Sequence, residues 1–369
     1  MENLSQMIQD AIENAMKERG EVNILIAGKT GVGKSTLINS VFQGNFATTG
    51  DGGPVTQETR KVVKEGIPLS IYDTRGLELK DFKETFNELE ILVKNLKKDK
   101  NPANHIHAAW ICIDESSRRV EEAEIELCRI LSEHIPVIGV LTKCKADNGF
   151  RMKVQRLLKT SRNVVRTNSI STILDDGHII PASGLEDLID LTMEIVPEGQ
   201  RKALAAAQKV SLNQKINKAH GVVAASAVAA GGAAAIPIPF SDAVALVPIQ
   251  VGMLAGITAV FGLELKKSFL VTIVSSTITG AGATFAGRTI AANLLKFIPG
   301  AGSIAGGAIA SSTAVLITTV FGEAFVGTLS YLTKEKGLSE IKNEDIIKEF
   351  KSRLKFKKGK TAVDDLAVK

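Results

Sequence analysis

Eight consecutive residues, Gly28-Lys29-Thr30-Gly31-Val32-Gly33-Lys34-Ser35, set a lysine and a hydroxyl directly behind a glycine-rich turn. That order suits polyphosphate chemistry. Glycines let backbone N–H groups close around phosphate oxygens, and a helix that starts at the lysine turns its positive dipole end toward the same anions. In such a loop Lys34 reaches the β- and γ-phosphates and Ser35 ligates Mg²⁺. Lys29 to Ser35, with Thr36 beside them, are the candidate phosphate contacts.

A second group lies downstream, at Asp73-Thr74-Arg75-Gly76, after a run of apolar residues. A carboxylate at a strand end can hold Mg²⁺ through water, and the Gly76 backbone can approach a γ-phosphate. Between the two groups runs 46–60, with Gly50, Gly52, Gly53 and Pro54. That composition fits a segment that orders on triphosphate and is released on hydrolysis. Thr56 is the candidate hydroxyl for the Mg²⁺, with Thr59, Thr48 and Thr49 as alternatives.

Positioning these groups requires strands that stop where the chemistry begins. Val22–Ala27, Leu69–Tyr72, His107–Ile113 and Pro136–Leu141 read as buried strands. Helical spacing falls between them at Ser35–Phe42, Phe82–Leu96, Val120–Leu131 and Leu185–Ile195. The alternation implies a parallel sheet covered on both faces. Lys61–Glu65 and Leu69–Tyr72 are the exception, because only Gly66, Ile67 and Pro68 separate them, and they read as an antiparallel hairpin at the sheet edge. The first 20 residues read as an amphipathic helix, not a signal peptide.

Composition changes near residue 220. From Gly221 to Tyr331 the charged residues are Asp242, Glu264, Lys266, Lys267, Arg288, Lys296 and Glu323, leaving uncharged stretches at 221–241, 243–263, 268–287 and 297–322. Their length suits a hydrocarbon core. Yet they are rich in Ala, Gly, Ser and Thr, and Pro237, Pro239 and Pro248 interrupt them. Membrane association by shallow insertion or helical hairpins is the preferred reading, and a tightly packed soluble bundle is the other. The residues over 197–220 read as one charged connecting helix, and 336–369 as a basic helical tail.

Bulk properties narrow the classes further. The net charge of +5 comes from 45 basic and 40 acidic residues, so no specific nucleic-acid partner is implied, while a lipid surface remains open. Cys112, Cys128 and Cys144 have no metal or redox spacing, which points to a reducing, cytoplasmic setting. His105 and His107 lack a partner in register and read as strand-edge residues, and Trp110 reads as core.

The order of the phosphate loop, Pro54-Val55-Thr56, Asp73 to Gly76, Thr142-Lys143 and Pro181-Ala182-Ser183 resembles the Era/TrmE-like branch of translation-factor-related GTPases, over about residues 20–196. Ile236-Pro237-Ile238-Pro239-Phe240-Ser241-Asp242-Ala243 and Pro299-Gly300-Ala301-Gly302 resemble the YcjF-type domain that follows such domains, with a looser likeness to immunity-related GTPases. The resemblance implies GTP as the nucleotide. It also implies that Lys143 stacks under the base and that Ala182-Ser183 contacts the guanine oxygen.

Two positions depart from that pattern. The family carries an aspartate two residues after the lysine to grip guanine N1 and N2, whereas this chain has Lys145, with Asp147 two places late. A lysine offers donors and no acceptor, so either Asp147 substitutes or guanine selectivity weakens. Leu77 stands where Ras-type enzymes place a water-orienting glutamine. Arg75, Arg118 and Arg119 are then the candidate charge stabilisers, supplied across a homodimer formed through the nucleotide face; for Arg118 and Arg119 a solvated helix start is the simpler reading. With Gly31 at the fourth loop position, where an asparagine carries potassium activation in the TrmE-like branch, that activation is not inferred.

The expected architecture is an α/β P-loop three-layer GTPase domain with a mostly parallel sheet, plus an all-α hydrophobic C-terminal domain. Its boundaries are 1–20, 21–196, 197–220, 221–335 and 336–369. The expected activity is slow, Mg²⁺-dependent GTP hydrolysis to GDP and phosphate, switching the helical domain at or near a membrane. The alternatives are a non-hydrolysing nucleotide-binding module and a GTP-gated membrane-perturbing effector.

Overall fold

The structure is a computed structural model, and it describes residues 2–46, 60–74, 82–234, 242–264, 267–277 and 307–354. It divides into two compact units. One spans Arg19–Gln214, and the other joins Met1–Glu18 to Lys215–Lys369.

The first unit is built on a six-stranded sheet of β1 (Val22–Gly28), β2 (Arg60–Lys64), β3 (Ile67–Asp73), β4 (Ala108–Asp114), β5 (Val137–Thr142) and β6 (Asn163–Arg166). The order is β2-β3-β1-β4-β5-β6. All neighbours run parallel except β2 and β3, which pair antiparallel at the edge, as the two-residue gap between them, Glu65 and Gly66, requires. Strands β1, β4 and β5 are buried along nearly their whole length because helices cover both faces.

Side-chain alternation along the strands decides which face each residue supplies. Leu25, Ala27, Ile111, Ile113 and Leu141 pack under α3 (Phe82–Lys97), α4 (Glu122–Ser132) and α5 (Phe150–Leu157), which contribute Phe86, Leu89, Val93, Leu127, Leu131 and Val154. On the other face Trp110 is fully buried. Its ring stacks on Phe42 at 5.6 Å, and its indole N–H donates to Thr192 of α6 (Leu185–Ile195) at 3.1 Å. Helix α2 (Lys34–Val41) flanks the same face through Leu37, Ile38 and Val41.

Four elements differ from expectation. Helix α5 and strand β6 are short and basic or polar at their ends, so periodicity does not flag them. A two-stranded hairpin, β7 (Thr172–Ile173) with β8 (Ile179–Ile180), projects between β6 and α6. Where one helix is expected over 197–220, the chain forms α7 (Glu198–Ala207) and begins α8 (Leu212–Ala234). The break is at Gln208, whose extended backbone bridges Phe42 while its buried side-chain oxygen accepts the N–H groups of Val210 and Ser211. An amide that satisfies backbone donors locally competes with helix continuation.

The second unit is helical, comprising α1 (Glu2–Arg19, up to Glu18), most of α8, α9 (Asp242–Phe261), α10 (Lys267–Thr277), α11 (Gly307–Lys336) and α12 (Asn343–Leu354). Small residues set its helix spacing. A Cβ on Gly256 would lie 2.9 Å from Val222, and one on Gly322 would lie 2.7 Å from Val223 and 2.8 Å from Met253. Hydroxyls on α9 and α11 donate to carbonyls four residues back, as at Thr258, Thr319, Thr328, Ser330 and Thr333, so they carry their own partners into an apolar setting. Pro248 sits inside α9 without ending it. Pro237, Pro239 and much of 268–322 lie outside the described residues. Among the described residues α11 holds a segment, Ala314–Lys336, with mean hydropathy 1.5, long and apolar enough to cross a membrane.

Candidate functional site

Strand β1 ends at Gly28, in register with Cys112 of β4. A Cβ at Gly28 would lie 2.5 Å from the Cys112 carbonyl oxygen, and φ is +151°, so only glycine lets the loop leave the sheet this close to its neighbour. Gly33 then takes the N-cap of α2 in the left-handed region, with no side-chain cap and no acidic residue in the first turn. A helix start without a capping oxygen leaves N–H donors for an anion. Lys34 folds back over the loop, its ammonium donating to the carbonyls of Gly28 (2.7 Å) and Lys29 (3.0 Å). Burial pushes its pKa down, against the attraction of Asp73 and Cys112.

Asp73 ends β3 opposite Arg60 and beside Ile26, which brings a carboxylate to the same sheet edge as the loop. Ser35 and Asp73 are hard oxygen donors, and with phosphate oxygens and water they fit Mg²⁺. Thr56, Arg75, Gly76 and Leu77, with the alternatives Thr48, Thr49 and Thr59, lie outside the described residues.

The loop is braced from the side. Lys29 forms an ion pair with Glu121 at the start of α4. Glu124, one turn into α4, accepts the Glu121 N–H at 2.8 Å, and burial raises its pKa to about 7 although Lys29 opposes the rise. Thr142 at the end of β5 donates to the Val32 carbonyl at 2.6 Å, tying the phosphate loop to the loop that follows β5. Sequence reasoning missed Glu121 and Glu124, since nothing in their spacing shows that α4 starts beside Lys29.

The β5 loop is held at several points. Lys143 adopts a positive φ of 53° and pairs with Asp114 at 2.8 Å. Glu115, buried, accepts two hydrogen bonds from Arg166 (2.6 and 2.8 Å) and one from the Lys145 backbone N–H (3.0 Å). Against the upward push of burial, these bonds hold its pKa below the ordinary value. Arg118 donates to the carbonyls of Ala146 (3.0 Å) and Asp147 (2.8 Å) and lies over the Phe150 ring. It is a clamp on this loop. Arg118 is therefore not a free, solvated helix start, whereas Arg119 next to it is exposed.

Asp147 also has a local task. Its Oδ1 accepts the Arg151 N–H at 2.8 Å, its carbonyl accepts the Phe150 N–H, and the Arg166 guanidinium lies 3.9 Å from the carboxylate. The carboxylate therefore caps α5. Ala182 and Ser183 reach the neighbourhood through the backbone. Cys144 donates to Thr167, and Asn168 exchanges both backbone bonds with Ser183. The Ala182 N–H donates to Ser171 at 3.2 Å.

The dismissed residues are accounted for. His107 is buried, with Nδ1 accepting the Asn23 N–H and Nε2 facing the Pro102 carbonyl, while His105 Nε2 faces Asp99. All three cysteines are buried thiols.

Residues 23–143 match the family described as 50S ribosome-binding GTPase. The chain is 27% identical over 201 residues to the tRNA modification GTPase MnmE of Clostridioides difficile, covering 53% of this chain and 39% of that one. It is 23% identical over 167 residues to human Septin-9, covering 38% of this chain and 28% of the other. It thus spans about two fifths of the length of these relatives, or less. A structure of Aquifex aeolicus Era bound to GDP·AlF4⁻ aligns with 57% of this chain and 68% of its own at 17% identity, with a TM-score of 0.35. The match to a GTPase family thus lies within the sheet unit, and a helical region follows it.

Proposed function

We propose that this chain is a Mg²⁺-dependent GTP-binding switch that hydrolyses GTP to GDP and phosphate slowly and governs its own helical unit at or near a membrane. The observation that carries the reading is the uncapped start of α2 beneath Lys34, a cradle for a triphosphate with no side chain of its own to fill it. In this reading Lys34 swings from the Gly28 and Lys29 carbonyls to the β- and γ-phosphates, and Ser35 and Asp73 hold the ion. Magnesium, when bound, neutralises charge that develops between the β- and γ-phosphates. The 46–60 segment with Thr56, and Gly76 after Asp73, respond to the γ-phosphate.

Turnover is slow in this account for reasons internal to the chain. Leu77 cannot orient water, and Arg118 is committed to the β5 loop. Arg119 is exposed and is the group that a second copy, docked through the nucleotide face, would offer. Membrane association rests on Ala314–Lys336, the apolar segment of α11.

The test is phosphate release by the full chain with GTP and Mg²⁺, beside Lys34→Ala. Release above the variant, rising more than linearly with protein concentration, supports the switch and the dimer. Release equal to the variant together with retained GTP binding points to a non-hydrolysing regulatory module, the reading that Leu77 and the engaged Arg118 favour.

A further inference from the structure

The strand order says where the nucleoside must go. Phosphates seat at the end of β1, and β4 and β5 follow at about 4.8 Å per strand, so a base extending along the carboxyl edge arrives about 10 Å away, at the loop after β5. That loop is Thr142 to Gly149, already tied to the phosphate loop by Thr142.

The Watson–Crick edge of guanine presents two kinds of donor, N1–H and the 2-amino group, and only an acceptor can read them. The carboxylates near this loop are engaged elsewhere. Asp114 pairs with Lys143, and Glu115 is buried against Arg166 and the Lys145 N–H. Asp147 caps α5. The exposed side chain two residues past Lys143 is Lys145, which carries three donors and no acceptor. Arg118 holds the loop backbone at the Ala146 and Asp147 carbonyls, Glu115 holds it at the Lys145 N–H, and the Arg151 N–H holds the Asp147 carboxylate itself, so the loop has little freedom to bring Asp147 forward.

We propose that Lys145 sets base choice in this site. The 2-amino edge of guanine meets an ammonium and is not read, so GTP and ITP bind alike. XTP, whose C2 oxygen accepts a hydrogen bond, binds more tightly than either. This inference rests on the nucleotide-binding reading above and names its substrate class as 6-oxopurine triphosphates selected at C2 for an acceptor. A site that hydrogen-bonds a substrate group discriminates strongly against analogues lacking it, and a site without the partner does not.

The experiment is competition by unlabelled GTP, ITP, XTP and ATP against a ribose-labelled nucleotide on the full chain at fixed Mg²⁺, in wild type, Lys145→Asp, Asp147→Ala and Lys34→Ala. Expected are GTP and ITP affinities within about threefold and XTP tighter by about tenfold, the value of one charge-assisted hydrogen bond. Lys145→Asp should invert the order, with GTP ahead of both ITP and XTP. A wild type that prefers GTP over ITP by tenfold or more overturns the inference, and loss of that preference in Asp147→Ala would identify Asp147 as the true reader. Failure of every triphosphate to bind, with Lys34→Ala indistinguishable from wild type, would instead remove the nucleotide-binding reading itself.

Discussion

The two units solve close approach in different ways. In the sheet unit the tight points against backbone include Gly28 and Gly184, where the obstacles to a side chain are the carbonyl oxygens of Cys112 and Arg166. In the helical unit the tight points are Gly256 and Gly322, where the obstacles are the ends of Val222, Val223 and Met253. Backbone cannot yield without breaking the ladder, whereas side chains can change rotamer. The first unit therefore holds a rigid loop beside a chemical site, and the second is packed so that its helices can adjust against one another.

The contrast can be broken most severely at the phosphate loop. Lys34→Ala should weaken triphosphate binding by about 100-fold or more, the loss of charge-assisted bonds totalling about 3 kcal/mol. Far-ultraviolet dichroism should stay unchanged; a collapse of helicity would mean that the loop supports the fold as well as the ligand.

Paired glycine substitutions come next. Gly28→Ala should abolish nucleotide binding outright, while Gly322→Ala should destabilise the helical unit by the cost of overpacking, about 1–3 kcal/mol, and leave nucleotide affinity unchanged. Denaturant unfolding followed beside nucleotide titration checks both. Equal tolerance of the two substitutions would erase the contrast between the units.

Gentler effects concern pH, and here the units should slope in opposite directions. Lys215 is fully buried with its ammonium 3.0 Å from the Phe261 carbonyl at the end of α9, and burial lowers its pKa from 10.5 to about 7. Between those values the unfolded chain holds a proton that the folded chain has lost, so stability rises with pH over that window. Lys215→Met should flatten the rise. Glu124 carries the reverse sign: its pKa is raised from 4.5 to about 7, the folded chain holds the extra proton, and stability falls as pH climbs between those values. Glu124→Gln keeps an oxygen for the Glu121 N–H and should remove that fall. The readout is the unfolding midpoint across pH 4–10, and slopes of one sign in both units would refute the assignment.

Much of this arrangement was legible in the chain itself. Val22–Gly28, Ile67–Asp73, Ala108–Asp114 and Val137–Thr142 are apolar runs bounded by turn residues, and a strand buried on both faces leaves that mark. Leu185–Ile195 appears where its 3.6-residue spacing places it. Asn163–Arg166 and Phe150–Leu157 were not legible, because a four-residue edge strand and a two-turn helix with exposed basic residues bury too little to leave a periodic pattern. The Gln208 break was hidden for a different reason: a glutamine ends a helix only when the surrounding fold buries its amide beside donors.

The spacing from Gly28 to Ser35 by itself determined that a polyphosphate has a place here, since the chemistry is made by neighbouring residues and one strand-to-helix turn. Lys145 was visible as a base-site departure on the same terms. What Asp147 and Arg118 do was decided only in three dimensions. A side chain's identity fixes which bonds it can make, but its availability depends on partners such as Ala146, Arg151 and Arg166, which folding alone brings beside it.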